Sequence, residues 1–429
     1  MVNKQAHVIV ISYDSFSQLD FEKAKHYPNL AKLIENGIYS TQLSSVYPSM
    51  TYVVHTTMVT GLYPDKHGII HNYPFQPFVD YKQQAWHWYR SAIQASTIYD
   101  MAKEAGLKTA SLMWPVSGGA KTNYNFPEII ALPGENQVTK ILKNGSPLFC
   151  LNMAIKYGRH LSGAKQPQLD DFTTNMAVDT IRRKKPNLLL SHLIELDDLK
   201  HDVGIEHESL EHVYQEMDQR IGRIVTTVQE LGLGDQTSFM VLGDHGQFTI
   251  KKRIFLNQYL YEKGWIKDDY ISGKKQSPLY FQSSGGAAYL HVDQNNSPNQ
   301  KEIEELLSAL RVDFSEEIEA IFNREQLDSY SISPNISYMI EGISGVAFSD
   351  AVSETGQLME DLESQQLLSG DHGYHPDKEN YQCGFVLSGP AIIRRGNIGP
   401  IKMVDIAPTI ATLLGIEFPH RDGSSVSFE

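Results

Sequence analysis

Continuous apolar runs and helix-period apolar stripes alternate along this chain. HVIVISY (7–13) is apolar and rich in β-branched residues, the pattern of a strand buried on both faces. PNLAKLIENG (28–37) has Pro near its start and Gly at its stop, which predicts a helix. A second helix is predicted over 92–105, then Gly106 and a strand over 108–114 (KTASLMW). Residues 170–184 predict a helix that ends before Pro186, and NLLLSHLIEL (187–196) is the next strand. A long amphipathic helix over 207–231 leads into TSFMVLG (237–243), again a strand. Alternation of this kind predicts an α/β fold with a mostly parallel central sheet and helices on both faces.

The pattern changes after residue 250. Residues 278–350 mix short strands, such as AAYLHV (287–292), with a charged helix near 299–310. We read 256–364 as an inserted cap or auxiliary subdomain, and 1–255 with 365–429 as the catalytic domain; the plainer alternative is a continuation of the main sheet. GFVLSGP (384–390) then predicts a strand and MVDIAPTIATLLG (403–415) a helix.

Length allows this organisation, since 429 residues can bury a large core in more than one unit. The 37 Lys and Arg against 51 Asp and Glu give a net charge of -14. That balance argues against a nucleic acid polymer or an anionic membrane as partner. Two distant cysteines, Cys150 and Cys383, build neither a disulfide framework nor a Cys-based metal motif. The apolar stretch 7–13 is too short for a secretory leader, and no stretch reaches the length of a membrane span, so a cytoplasmic location is expected.

Acids and imidazoles recur where the predicted strands end. Asp14 follows the first strand, Asp197 and His201 follow the strand at 187–196, and Asp244 and His245 follow TSFMVLG. His372 lies in a second Asp-His-Gly. Side chains at the carboxyl ends of parallel strands converge on one crevice. Carboxylate and imidazole are zinc ligands, and six of them suffice for two ions with open positions. Thr51, at the start of a predicted helix over 51–60, offers a hydroxyl that two such ions can activate as a nucleophile.

Each residue also has a plainer reading. Asp14 alone is a turn former. Thr51 alone is a helix N-cap, although a helix start also presents N–H groups and a positive dipole to an anion. His55, one turn on, reads as a packing or hydrogen-bonding residue. Asp198 is an alternative partner for His201. Lys200 either meets substrate charge or faces solvent. The aromatic segment 74–90 either stacks a base or packs on the body. RRKK (182–185) reads as a solvated helix end. The Asp-His pair flanked by glycines after an apolar strand resists explanation by packing alone.

Taken together, GDHG, the D-x-x-x-H-x-x-G of Asp197 to Gly204, HGY at 372–374, and PSMT followed by VTGLYPDKHGIIHN resemble the alkaline phosphatase superfamily. Within it the chain is most similar to the nucleotide pyrophosphatase/phosphodiesterase family, the type I phosphodiesterases. YPNLAKLIENG, AKEAGLKTASLMWPVSG and VDIAPTIATLLGI add to the likeness, which covers roughly residues 7–250 and 368–425.

The resemblance implies an alkaline phosphatase-like fold and a metal-dependent hydrolase of phosphodiester or pyrophosphate bonds. It also implies two divalent ions, zinc by preference, and a phospho-threonine intermediate. One ion would sit on Asp14, Asp244 and His245, the other on Asp197, His201 and His372, with Thr51 toward both as nucleophile. The substrate would be a small phosphate ester, a nucleotide among the candidates. The family commonly reads Thr-Phe-Pro-Asn-His from the nucleophile on, and its asparagine helps hold a phosphate oxygen. Val54 stands at that place. The phosphate would then be held by backbone N–H groups, by the metals or by a residue from elsewhere. This departure leaves a phosphonate hydrolase, phosphomonoesterase or phosphomutase of the same superfamily as the alternative.

Overall fold

The computed structural model describes residues 6–269, 274–293, 295–353 and 355–428. Residues 1–5, ahead of the first strand, and 270–273, 294 and 354, inside the stretch 256–364, lie outside the described residues, as does 429. The centre is a nine-stranded sheet. In spatial order it runs Gly396–Asn397, Gly37–Ser44, Cys383–Ser388, Thr237–Gly243, His7–Tyr13, Leu188–Leu193, Thr109–Leu112 and Tyr124–Phe126, with Ile401–Lys402 also on Gly37–Ser44. Every pairing is parallel except those of Cys383–Ser388, which is antiparallel to both neighbours. The sheet is the mostly parallel one that the alternating pattern predicts.

His7–Tyr13 lies in the middle, and its unbroken apolar run has a direct cause. Successive strand residues face opposite sides, and each side meets its own core. Val8, Val10, Leu188, Leu190, Met240 and Leu242 pack with the helices Thr51–Thr60 and Ile406–Leu414. Ile9, Ile11, Leu189 and Val241 pack with the helices Gln168–Lys184 and Leu210–Glu230. Ser12 is the buried polar exception on this strand, and its hydroxyl bonds His55 at 2.9 Å.

Element ends shift where local chemistry intervenes. The helix expected over 92–105 begins only at Ile98. Thr97 caps it by accepting from the Asp100 N–H while the Asp100 carboxylate reaches back to Thr97, a closed capping box. The strand expected to 114 stops at Leu112, because Met113 turns to φ 55°. The strand at 188–193 gives way at once to the helix Glu195–Val203, which carries Asp197 and His201.

Residues 248–371 build four smaller sheets outside the central one. The largest has the order Leu279–Ser283, Ala287–Val292, Tyr338–Gly342 and Ile318–Phe322. Helix Gln300–Asp313 lays Ile303, Leu306, Leu307 and Leu310 into a core of its own with Ile254, Leu256, Leu279 and Leu290. The first of these strands, Phe248–Ile250 and Lys252–Phe255, precede residue 256 and pair with Ser369–Asp371, Val346–Ser349 and Met359–Asp361. This region reaches the carboxyl edge of the main sheet: Gly286 N–H donates to His372 O at 2.7 Å, and Tyr47 OH donates to Glu341 at 2.7 Å.

Candidate active site

Five ligand-type residues sit just past the carboxyl ends of three neighbouring central strands, and His372 joins them from the loop after Ser369–Asp371. Asp14 extends the pairing of His7–Tyr13 by one residue, its N–H donating to Leu193 O at 2.8 Å. Asp244 follows Thr237–Gly243. Its Oδ1 accepts from the backbone N–H of Ser15 at 2.8 Å and of His245 at 2.9 Å, which fixes the carboxylate and leaves Oδ2 with no hydrogen bond. The glycine before it is required by close approach: a Cβ on Gly243 would stand 2.1 Å from Phe16 O. Gly373, after His372, has φ 84° and runs against the Ser284 carbonyl, so the second Asp-His-Gly turn also demands glycine.

The imidazoles are aimed by their second nitrogens. His201 Nδ1 donates to Gly370 O at 2.8 Å and turns Nε2 toward Asp197 Oδ2, 3.3 Å away. Asp197, not Asp198, is therefore its acidic neighbour. His245 Nδ1 lies 3.2 Å from Gly246 O, and its Nε2 is 3.1 Å from Asp14 Oδ1, 3.4 Å from Asp244 Oδ2 and 3.2 Å from Thr51 Oγ1. The His372 ring stacks on His245 with centroids 4.1 Å apart and meets His201 edge-on at 5.3 Å.

Two groups of ligand atoms are close enough to hold one ion each: Asp197, His201 and His372, and Asp14, Asp197 and His245. Asp244 adjoins the second group through His245. Asp197 thus lies between the two.

These residues fit bound cations. Asp14 Oδ1, Asp244 Oδ2 and His372 Nδ1 are buried without a hydrogen-bond partner among the described residues. Such orphans are costly unless something fills them. Burial and the Asp14 charge push Asp244 up to about 7. At His201, burial works against the charged ring, but Asp197 beside it holds the pKa up at about 10. Without a cation these groups must share protons in a buried space, and a metal ion displaces those protons.

Thr51 is the first residue of the helix Thr51–Thr60, all ten residues of which are buried. Met50 is the N-cap and makes no side-chain cap, so Thr51 is not the capping residue that a lone threonine there suggests. Its hydroxyl faces His245 instead. Val54 is fully buried in the main core, away from the phosphate position the family pattern assigns it. Asn72 places a side-chain amide beside the helix start. Its Oδ1 accepts from Tyr52 N–H at 2.9 Å, and its backbone carbonyl accepts from His87 N–H at 2.9 Å. It lines the same cavity as Thr51, and its amide Nδ2 bonds no described residue. Sequence reasoning missed it because Asn72 ends the HGIIHN run 21 positions after Thr51, where no spacing rule points.

Two further histidines stand behind the carboxylates. His192 Nε2 is 3.3 Å from Asp14 Oδ2. Burial would pull its pKa down, but the Asp14 carboxylate overrides this and holds it up at about 9. His55 accepts from Ser12 Oγ at 2.9 Å, donates to Thr51 O at 2.8 Å, and lies 3.5 Å from Asp244 Oδ2. It is a hydrogen-bonding residue, as read from the sequence. Lys200 neither meets substrate nor faces solvent. It is buried and bonds Asp20 at 2.7 Å and Ser15 O at 2.7 Å.

The cavity over the site holds about 500 Å³. Tyr52, Tyr73, Tyr81 and Trp86 line one side of it, with Tyr52 edge-on to Trp86 at 5.3 Å. The aromatic segment divides: Phe75 stacks on His291, Phe78 packs on Tyr280, and Trp88 joins the main core. Glu128, Asp198, Asp350 and Asp371 also line the cavity, and Arg253 is the one lysine or arginine among its described lining residues.

The sequence pattern described as type I phosphodiesterase / nucleotide pyrophosphatase matches residues 8–375. Bovine bis(5'-adenosyl)-triphosphatase ENPP4 is 23% identical over 426 residues, 97% of this chain and 80% of the relative. Human ectonucleotide pyrophosphatase/phosphodiesterase family member 5 is 23% identical over 98% of this chain and 76% of its own length. Among solved structures, murine ectonucleotide pyrophosphatase/phosphodiesterase 5, an inactive threonine-to-alanine variant in complex with AMP, superposes with a TM-score of 0.70 at 19% identity, covering 98% of both chains.

Proposed function

Because this chain belongs to the type I phosphodiesterase and nucleotide pyrophosphatase family, and is accordingly a metal-dependent hydrolase of phosphodiester or pyrophosphate bonds, we propose that Thr51 is its nucleophile. The observation that carries this is the Thr51 hydroxyl at a helix N-terminus, 3.2 Å from the ligand-type nitrogen of His245. Two ions, zinc by ligand chemistry, are assigned to Asp14, Asp244 and His245 and to Asp197, His201 and His372. Bound there, they supply the charge that lowers a hydroxyl pKa and neutralises the oxygens of a transferring phosphoryl group.

The chain's own residues do the rest. Thr51 Oγ1 attacks phosphorus, its proton leaves to water, and the bond to the leaving oxygen breaks. Water then hydrolyses the phospho-threonine ester and restores the hydroxyl. Asn72 Nδ2, held by the Tyr52 N–H on Oδ1, donates to an equatorial phosphoryl oxygen, with the positive end of the helix Thr51–Thr60 behind it. His192 stands against the Asp14 carboxylate from outside, and the Ser15 and His245 N–H groups hold Asp244. Asn72→Ala is expected to lower kcat by roughly 10²–10³-fold, the usual effect of deleting one donor to a developing charge. An unchanged kcat in steady-state assays removes Asn72 from the machinery.

The substrate class follows from charge. A phosphomonoester carries one more negative charge than a diester. Four acids line the cavity beyond the metal ligands, and Arg253, the one lysine or arginine among its described lining residues, is paired with Glu360 at 3.5 Å. The aromatic side suits a nucleobase or an aryl group. We therefore assign nucleotide or aryl diesters as substrates, ahead of monoesters and phosphonates. The kcat/KM for a bis-aryl phosphate should exceed that for the aryl monophosphate by roughly tenfold or more, about 1.4 kcal/mol. A ratio favouring the monoester, or turnover of a phosphonate alone, moves the enzyme to the alternative class. A cytoplasmic location is proposed from the sequence; the name of the human family member 5 carries the prefix ecto-, and cell fractionation distinguishes the two.

A further inference from the structure

Charge is spread unevenly over this acidic chain. Residues 136–185 contain nine Lys and Arg against three Asp and no Glu, in a protein of net charge -14. Two of those three acids, Asp170 and Asp171, face Arg220. The third, Asp179, pairs with Lys156 and Arg183, while Lys140 pairs with Glu135 and Arg182 with Glu230 from outside the segment. Lys143, Arg159, Lys165, Lys184 and Lys185 are exposed.

The same segment carries an apolar face that is exposed among the described residues. Helix Pro147–Tyr157 turns Phe149, Cys150 and Met153 inward. Its opposite face leaves Leu148 85% and Ile155 74% exposed, with Leu151 beside them. The spacing 148, 151, 155 puts the three on one stripe. Val138, on the neighbouring helix Gln137–Asn144, is 61% exposed. Against Leu148 lies a cleft of about 510 Å³ lined by Lys156, Arg183 and Lys184, with Asp179 its single acid. Arg183 and Lys184, at the end of helix Gln168–Lys184, thus share a cleft with Leu148, the first residue of the apolar stripe.

We propose that this face docks on the surface of an anionic lipid bilayer, the apolar stripe entering the headgroup boundary and the lysines and arginines meeting lipid phosphates. Exposed apolar side chains of a surface helix gain by entering the headgroup boundary, and long basic side chains snorkel toward the headgroups. The charge decides between occupants. A symmetric dimer would set the same basic patch against itself, whereas an anionic surface complements it. The net charge of the whole chain argues against membranes only if charge is evenly spread, and here it is not. Because Ala164, Gln166 and Leu169 of the same segment line the catalytic cavity, docking would bring the cavity mouth near the bilayer.

The test is co-sedimentation of the intact protein with vesicles of phosphatidylcholine alone and with three-tenths phosphatidylglycerol. Sedimentation is expected with the anionic vesicles and not with the neutral ones, and it should weaken as salt rises. Leu148→Ser with Ile155→Ser, and separately Lys184→Glu with Lys185→Glu, should each lower partitioning roughly tenfold or more, while hydrolysis of a soluble diester stays at the parent rate. Absence of binding to anionic vesicles, or variants that sediment like the parent, overturns the proposal. So does a concentration-dependent dimer in sedimentation velocity that the Leu148→Ser, Ile155→Ser pair dissolves, which would assign the stripe to a second copy.

Discussion

Thr51→Ala is expected to lose turnover of a phosphodiester by roughly 10⁴-fold or more, while its metal content and melting temperature stay at the parent values. The two readings of this residue separate cleanly in that experiment. A capping threonine replaced by alanine costs about 1 kcal/mol of stability and leaves chemistry alone. Thr51 is instead the first helical residue after an uncapped Met50, and its hydroxyl bonds no backbone group among the described residues. Removing it should therefore cost little stability and nearly all activity. A variant with normal turnover and a lowered melting temperature would return Thr51 to a structural role.

The second large effect is expected at Asp197. Its Oδ2 faces His201, and it belongs to both groups of ligand atoms. Its other oxygen accepts from the Gln247 side chain, which sets the carboxylate plane. Elemental analysis of the parent should give two divalent ions per chain, and Asp197→Ala at most one, with turnover falling at least 10²-fold, the upper end of what losing even an outer partner of a ligand costs. His372→Ala should lose one ion and keep the other. A parent with one ion, or an Asp197→Ala variant that keeps two, contradicts the assignment.

Five of the site residues legible in sequence, Asp14, Asp197, His201, Asp244 and His245, share one trait: they follow a strongly apolar strand. Asp14 and Asp244 cannot be explained as core or as solvent-facing residues, so strand-end chemistry is the simplest account. The glycines around Asp244 and after His372 mark backbone approaches that no other residue allows. The hidden parts lack that contrast. His192 lies within the fully buried strand Leu188–Leu193, where an imidazole reads as a satisfied core residue. Lys200 resembles a surface lysine until the fold brings Asp20 and Ser15 to it. Asn72 is the donor proposed where Val54 has none, and it is the fold that brings this residue, 21 positions on, back to the helix start. The sheet order follows the same division. Strand existence was readable from periodicity, whereas the antiparallel run of Cys383–Ser388 between two parallel strands depends on a long return that no local pattern encodes.

The central claim is a phosphoryl group carried on Thr51 during turnover. It is tested most directly by mixing the metal-loaded enzyme with a phosphate-labelled diester, quenching in acid within the first turnover, and mapping the labelled peptide. The label should lie on Thr51 and should disappear on longer incubation as the ester is hydrolysed. A label on another residue, or no label while the Thr51→Ala variant still turns over, would contradict the account.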